Sequence, residues 1–261
     1  MSFTLLPSEP GQAQHARFDE FLMRRAAQGS PVACIWRTGQ GLVVPRTYHR
    51  LPRFAEACRR FARLGWPVTV RQSGGGLVPQ GPGILNISLA YMAAGQPLSQ
   101  SDAAYQSLCA LISGALNDLG IATRPQAVTG SFCDGRYNLA WLDDSGTARK
   151  IAGTAQLWRR VAPEGDTPTI RDAPGRTDAV QVVLAHALLL AAVDTDAVTR
   201  IANGFERASG HDKHYDPDTI SSLHAILGIA ADASNVFMTD LTNGLAQHIA
   251  AASPPASTQT P

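Results

Sequence analysis

Gly130-Ser131-Phe132-Cys133-Asp134-Gly135-Arg136-Tyr137-Asn138-Leu139-Ala140-Trp141-Leu142 is followed by a polar turn, Asp143-Asp144-Ser145-Gly146, and then by Arg149-Lys150-Ile151-Ala152-Gly153-Thr154-Ala155-Gln156-Leu157-Trp158. Tyr137 to Leu142 and Arg149 to Trp158 are rich in aromatic, aliphatic and threonine residues and flank turn chemistry, so they read as a β-hairpin. Strict alternation sends Ile151, Gly153, Ala155 and Leu157 to one face of the second strand. Lys150, Ala152, Thr154 and Gln156 go to the other, which turns Lys150 away from the expected core. Gly135 permits a tight bend before the first strand and leaves Cys133 on a loop, a common location for reactive groups.

Composition bounds what surrounds this hairpin. The chain has 261 residues, is 44% hydrophobic and carries a formal net charge of +1, enough to bury a sizeable core in one large domain. A charge so near zero argues against a nucleic-acid or membrane-surface protein. Cys34, Cys58, Cys109 and Cys133 show neither CxxC spacing nor a partnering histidine pattern, so no zinc site or disulfide framework is expected. His186 reads as a core residue, and His211 and His214 lack a third ligand at useful spacing, so no metal site is expected of them. No signal peptide is visible. The apolar run Val182 to Val193 is interrupted by His186 and too short for a bilayer, which makes the cytosol the simplest compartment.

Working outward, Met1 to Gln12 reads as a loose leader and His15 to Gln28 as a helix that buries Phe18 and Leu22 and ends at Gly29. Ala33 to Trp36 and Gly41 to Pro45 read as short strands. Arg53 to Leu64 reads as a helix with Phe54, Cys58 and Phe61 on one face, which makes Cys58 a core residue rather than a ligand. Pro67 to Arg71 is a strand that runs into Gln72-Ser73-Gly74-Gly75-Gly76, and Ile84 to Tyr91 is the next strand. Three successive glycines strip side chains from a patch of backbone so that a ligand can lie against it; a flexible surface turn is the other reading. Neither a P-loop nor a dinucleotide fingerprint follows.

Ser101 to Leu119 carries Ala104, Leu108, Leu111, Ile112, Ala115 and Leu119 in a helical stripe, with Gly120 just past its end. Cys109 sits beside the stripe and reads as structural. Ala162 to Thr177 reads as a loop and Val182 to Leu190 as a buried strand. Ala197 to Ala208, Pro217 to Leu227 and Ser234 to Ala251 read as helices, and Ser253 to Pro261 as a disordered tail.

Arg71-Gln72-Ser73-Gly74-Gly75-Gly76 with Gly83-Ile84-Leu85-Asn86-Ile87-Ser88 resembles the glycine-rich motif of the lipoate-protein ligase, octanoyltransferase and biotin ligase superfamily, and Lys150 to Gln156 resembles its lysine motif. The resemblance covers Phe18 to Leu227. It implies an α+β fold, a mixed β-sheet with packed helices and a helical C-terminal segment, and an acyl tunnel between the glycine loop and the lysine strand. The domain organisation expected from it is a catalytic domain over 13–230, a C-terminal helix over 231–252 packed on it, and a disordered tail over 253–261. Ser131 to Leu139 is similar to the Ser-Tyr-Cys-Pro-Gly-x-Tyr-Asp-Leu segment of the cysteine-dependent branch, which moves an octanoyl or lipoyl group between carrier proteins. Tyr215 to Leu223 resembles that branch's C-terminal helix start. Two departures stand out: Asp134 replaces the usual proline and Asn138 the usual aspartate.

A thiolate at Cys133 can take an acyl group as a thioester, which a carrier lysine then displaces. Lys150 is the candidate to favour the thiolate and relay protons, and its contact with Cys133 across the hairpin is an expectation. Backbone N–H groups at Gly74, Gly75 and Gly76, or near Gly153, are oxyanion donors in this scheme. Arg71, Ser73, Asn86, Thr154 and Gln156 complete the expected substrate-binding set, with Ser73, Asn86 and Gln156 orienting the acyl carbonyl. For Asn86 and Gln156, service to the local backbone is an equal reading. A solvated strand residue is the other reading of Lys150, and a small buried hydrophobe that of Cys133.

Arg71, Arg149, Arg159 and Arg160 read either as a basic rim for an acidic carrier or as scattered surface charge. The transfer reading needs no cofactor. An ATP-dependent ligase working with magnesium, in which Cys133 is incidental, and a non-catalytic carrier- or acyl-binding assembly protein are the other two readings. The partners implied are lipoyl carrier domains: the glycine-cleavage H protein and 2-oxoacid dehydrogenase acyltransferase subunits. Acyl carrier protein and H protein both fit as donor.

Overall fold

The computed structural model describes residues 1–8, 15–94, 97–164, 167–171 and 180–256. In chain order the strands are β1 (Thr4–Leu5), β2 (Val32–Trp36), β3 (Gly41–Pro45), β4 (Val68–Arg71), β5 (Val78–Gln80), β6 (Ile84–Ala94), β7 (Thr123–Pro125), β8 (Leu139–Leu142), β9 (Ala148–Glu164), β10 (Thr167–Arg171) and β11 (Val180–Leu190). The helices are α1 (His15–Ala27), α2 (Phe54–Arg63), α3 (Pro97–Asn117), α4 (Thr195–Ser209), α5 (Leu223–Ile226) and α6 (Ser234–Ala251). Eight strands form a sheet in the order β1-β2-β6-β11-β9-β8-β7, with β10 paired to β9, and three form a smaller sheet, β4-β3-β5. β1 runs parallel to β2 and β3 parallel to β4, while the other pairings are antiparallel. This is the α+β mixed sheet expected from the sequence.

Helices α3 and α6 cover one face of the large sheet, where Leu108, Ile112, Leu241 and Leu245 pack against Leu85, Ile87, Leu89 and Leu189. The other face is shared. Helix α1 lays Phe18, Leu22 and Met23 on Trp36, Ala90 and Leu184, and the small sheet with α2 and α4 brings Leu42, Phe61 and Phe205 onto Ile84, Leu188 and Leu190. Strands β6 and β11 are therefore buried on both sides, which is why Val182 to Leu190 is almost continuously apolar rather than alternating. No helix among the described residues is long and apolar enough to cross a membrane.

Several sequence expectations are corrected. The first residues are not a loose leader throughout: β1 pairs with β2, and Phe3 is buried against Tyr91; residues 9–12 lie outside the described residues. Within the expected loop Ala162 to Thr177, β9 continues to Glu164 and folds back as β10; residues 165–166 and 172–177 are outside the described set, as are 257–261 of the expected tail. Pro217 to Leu227 is not one helix but a 3-10 turn (Pro217–Thr219) and the single turn of α5. Tertiary pairing takes this segment instead, because Ile220 bridges Lys150, Ser221 N–H donates to the Lys150 carbonyl and His224 N–H to that of Ala191.

The correction that matters most is which residues share the side of Lys150: it turns away from Ile151 and the core as alternation has it, but Ala152 does not share its face, and it is buried rather than solvated. Leu139 pairs with Ala152, yet Ala140 pairs with Lys150, so Ile151 is the extra residue of a β-bulge. A bulge of one residue flips the side chains before it relative to those after it. Ile151 and Ala152 both enter the core under α3, and Lys150 is buried at 3% exposure on the opposite face.

Candidate active site

Cys133 lies at the tip of the loop before β8 with φ 48°, the left-handed region; no other non-glycine among the described residues has positive φ. That conformation strains a residue with a β-carbon and is held only where the surroundings fix it. They do so here through the Cys133 carbonyl, which accepts from Gly135 N–H at 2.8 Å, Asn138 Nδ2 at 3.0 Å and Lys150 Nζ at 3.1 Å. Upstream, Ser131 Oγ donates to the Val128 carbonyl at 2.7 Å, Asp216 N–H donates to the Gly130 carbonyl, and Phe132 packs edge-on against Tyr215 with ring centroids 4.9 Å apart.

Lys150 donates to the carbonyls of Phe132 and Cys133. Its amine fits because residue 153 is glycine: a β-carbon there would stand 3.0 Å from Nζ. No carboxylate pairs with it among the described residues, although Cys133 and the exposed Asp134 favour its charged form. Burial outweighs them and, with Arg71 beside it, brings Lys150 down to about 8.

The glycine loop closes over the thiol. Gly75 has φ 106°, and a β-carbon on it would lie 2.5 Å from Cys133 Sγ and 2.8 Å from Arg71 Nη2. Arg71 ends β4 and turns back on this loop, donating to the Gly74 carbonyl through Nε and Nη2 and to the Gly76 carbonyl at 2.7 Å. Because a trans peptide opposes its N–H to its C=O, fixing the Gly74 carbonyl turns the Gly75 N–H away from Arg71.

Cys133 and Lys150 line a cavity between α1 and the small sheet that is partly open to solvent. Its walls are largely apolar, with Trp36, Val43, Val78, Phe132, Leu184, Leu188 and Leu190, and its polar lining comes from Asp19, Arg71, Ser73, Gln80, Gln156 and His186. A mostly apolar cleft with a few convergent polar groups is the usual form of a small-molecule site.

A family model, the lipoyl protein ligase A/B catalytic domain, matches residues 12–162. The chain belongs to this family. An uncharacterized protein of Cupriavidus necator is 46% identical over 238 residues, 90% of each chain. The octanoyl-GcvH:protein N-octanoyltransferase of Kyrpidia tusciae is 30% identical over 228 residues, 86% of this chain and 73% of that one. A crystal structure of lipoate-protein ligase A bound with ATP superposes with a TM-score of 0.59 at 16% identity, over 95% of this chain and 86% of that one. A putative lipoate protein ligase from T. acidophilum with bound lipoic acid gives the same figures. These two likenesses show a shared fold. Family membership places the chain among proteins of acyl transfer in protein lipoylation.

In this member of the lipoyl protein ligase family, Cys133, Lys150, Arg71, Ser73, Gly153, Thr154 and Gln156 all line one cavity. Gly75 and Gly76 press against Cys133, and Gly74 is anchored by Arg71. Asn86 is placed otherwise: it is fully buried and exchanges two hydrogen bonds with Gln80, at 2.8 and 2.9 Å, so Gln80 reaches the cavity in its stead. The Gln156 amide donates to the Ser101 carbonyl and accepts from Trp158 Nε1, and Thr154 Oγ1 donates to the Tyr137 carbonyl. These bonds tie β9 to α3 and to the loop before β8. Arg71 is not part of a rim, being buried on the glycine loop, and the Arg159 side chain is only 14% exposed. Arg149 pairs with Asp143 at 2.9 Å and donates to the Asp218 carbonyl.

His186 is hydrogen-bonded to Ser88 Oγ, as expected of a satisfied residue, but it also faces the cavity. Sequence reading passed over Asp19 and Gln80. The signal for Asp19 was available, since it falls three, four and seven residues before Leu22, Met23 and Ala26, on the buried stripe of α1.

Proposed function

We propose that this protein moves an octanoyl or lipoyl group between carrier proteins, by way of a thioester on Cys133, onto a lysine of a lipoyl domain. The observation that carries the reading is the junction of a strained cysteine and a buried lysine, with no carboxylate paired to it among the described residues, on the wall of a largely apolar cavity. In the first half-reaction the Cys133 thiolate attacks the acyl carbonyl of the donor. A new S–C bond forms, the bond from the acyl carbon to the donor's nitrogen or sulfur breaks, and the leaving group takes a proton. In the second, the neutral amine of the acceptor lysine attacks the thioester, the C–S bond breaks, the thiolate returns and the amine sheds a proton.

Lys150 suits the proton traffic. At about 8 it is mostly ammonium at neutral pH, and roughly a tenth of it is free amine able to accept a proton. The Gly75 and Gly76 N–H groups, held by Arg71's grip on the loop, are the oxyanion donors of this scheme.

The same geometry speaks against an acyl-adenylate route. A nucleotide's phosphates need free cations, whereas Arg71 is spent on the Gly74 and Gly76 carbonyls and Lys150 on those of Phe132 and Cys133. By analogy with the Kyrpidia tusciae relative, an H-protein-like lipoyl carrier is the donor.

Intact-protein mass spectrometry after mixing with octanoylated H protein, without ATP, tests the reading. The expected result is a mass increase of one octanoyl group that hydroxylamine removes and Cys133→Ala abolishes. Carrier modification only when ATP and free acid are supplied, with no adduct from H-protein or acyl-carrier-protein donors, would reject it.

A further inference from the structure

Asp19 lines the cavity that holds Cys133 and Lys150 but takes no part in the chemistry above. It projects from the buried stripe of α1, and its Oδ1 is buried with no hydrogen-bond partner among the described residues. Proteins seldom leave a buried carboxyl oxygen unpaired, because its lost hydration goes uncompensated, so an orphan facing a cavity marks a place where a ligand supplies the partner. Burial also pushes this carboxyl up, to about 7, against the pull of Arg71 and Arg159 and with Glu20 adding to the rise.

The position of Asp19 connects it with the acyl chain rather than with the reacting carbonyl. Gly153, beside the Lys150 amine, stands in a cross-strand row with Leu188, Asn86 and Trp36. Three strand spacings make that row on the order of 14 Å long. Trp36, at its far end, is the residue against which Phe18 of α1 packs, with ring centroids 5.6 Å apart. His186 and Leu184 carry the cavity wall along β11 toward the same helix. A chain tethered at Cys133 and running along this wall brings its distal carbons under α1.

We propose that Asp19 is a specificity-determining residue that selects an acyl group bearing a neutral hydrogen-bond donor, a hydroxyl in the simplest case, on its distal carbons, so that the wholly aliphatic octanoyl chain is a substrate of the same transfer but the weaker-bound one. The inference rests on the reading that this cavity takes the transferred acyl group. An aliphatic tail satisfies Leu184, Leu188 and Val78 but seals Oδ1 away from water without a partner. A hydroxyl donates to it. A cationic tail meets Arg159, and an anionic one meets Asp19 itself and Glu20, so the neutral donor is the best match to the charges present. Sites built to hydrogen-bond a substrate hydroxyl discriminate strongly against the analogue lacking it.

The test is calorimetric binding of N-methyloctanamide and its 6- and 8-hydroxy derivatives, which stand for the acyl amide, to wild type, Asp19→Asn and Asp19→Leu, with thermal melting of each protein. Wild type should bind at least one hydroxylated amide tenfold or more tighter than the unsubstituted one. Asp19→Leu should reverse that order and melt higher, and Asp19→Asn should retain part of the preference. An unchanged ratio in Asp19→Leu, a wild-type preference for the plain chain, or no binding of any of the amides would overturn the proposal. A lower melting temperature in Asp19→Leu without a change of preference would show that Asp19 serves Arg71 and Arg159 structurally. These readouts need no thioester, so failure of Cys133 to load from any carrier sinks the transfer reading separately.

Discussion

Replacing Lys150 by methionine isolates the free energy stored in a buried lysine. Lys150 falls from 10.5 in the unfolded chain to about 8 in the folded one, chiefly through burial. A lysine depressed in this way binds its proton more weakly when folded, so below pH 8 it opposes folding by a constant amount, about 3 kcal/mol for 2.5 pH units. Between pH 8 and 10.5 the folded form has lost its proton while the unfolded form still holds one. The penalty therefore fades and stability rises with pH through that window. From pH 7 to 9.5 wild type should gain about 2 kcal/mol relative to Lys150→Met.

The same substitution removes the hydrogen bonds to Phe132 and Cys133, which costs about 1–3 kcal/mol for a carbonyl left unpaired. That cost does not depend on pH, so the difference between the two stability curves is the clean quantity, and titrating groups that do not interact with Lys150 cancel in it. Urea denaturation of both proteins at half-unit pH steps measures it; in thermal melts the gain should appear as a relative shift of about 4–8 °C. In a Cys133→Ala background, where the thiolate no longer pulls Lys150 upward, the gap should widen. Parallel curves from pH 7 to 9.5 would mean that Lys150 keeps its ordinary affinity for protons, and the proton-relay role assigned to it would fall with that result.

Both Cys133→Ala and Cys133→Gly should abolish the thioester in intact-mass assays, but the glycine variant should be the more stable by about 1 kcal/mol in urea, because φ 48° suits it; the reverse order would mean the loop relaxes without cost. Gly75→Ala forces a β-carbon onto Cys133 Sγ and Arg71 at φ 106°, and single-turnover loading should fall ~100-fold. Asn138→Asp withdraws a donor from the Cys133 carbonyl and sets a carboxylate near the Lys150 amine, so the alkaline limb of the loading pH–rate profile should move up, and an unmoved limb would count against Lys150 as its source. Tyr48→Phe removes a 2.6 Å hydrogen bond to the fully buried Glu206, which Tyr215 also donates to, and should cost about 2 kcal/mol in urea denaturation.

What was legible in the sequence follows from how far each signal depends on distant chain. The stripe of α3, the glycines after β4 and the turn between β8 and β9 are local patterns, and each appears where its residues place it. Which residues of β9 share a face with Lys150 is not local. Alternation assumes that no residue is inserted, and whether Ile151 bulges is decided by its pairing with Leu139 and Ala140. Pro217 to Leu227 has helical composition, but Ile220 and Ser221 bind to the end of β9 and leave only the turn capped by Ser222. Asp19 is the opposite case. Its place on an apolar stripe was plain, and an acidic residue there signals either an error of periodicity or a cavity, which only the packing of α1 against β2 and β11 distinguishes.

The departures from the family segment fit together once the Cys133 carbonyl is seen as the hub of the loop. An aspartate at position 138 can only accept hydrogen bonds when ionised, and so near the Lys150 amine it would hold that amine as ammonium. Asparagine donates to the Cys133 carbonyl instead, and Lys150 joins it there as a second side-chain donor. The loop is then held by dipoles rather than by an ion pair, and the lysine, buried and without a carboxylate partner among the described residues, is brought down to about 8. Asp134 restores some negative charge, but from an exposed position where water screens it. The result favours a lysine that can change protonation during a two-step transfer over one locked as a cation, and it gives the Ile151 bulge its purpose: were Ile151 and Ala152 in regular alternation, Lys150 would share the face of Ala152 and its amine would point into the apolar core beneath α3.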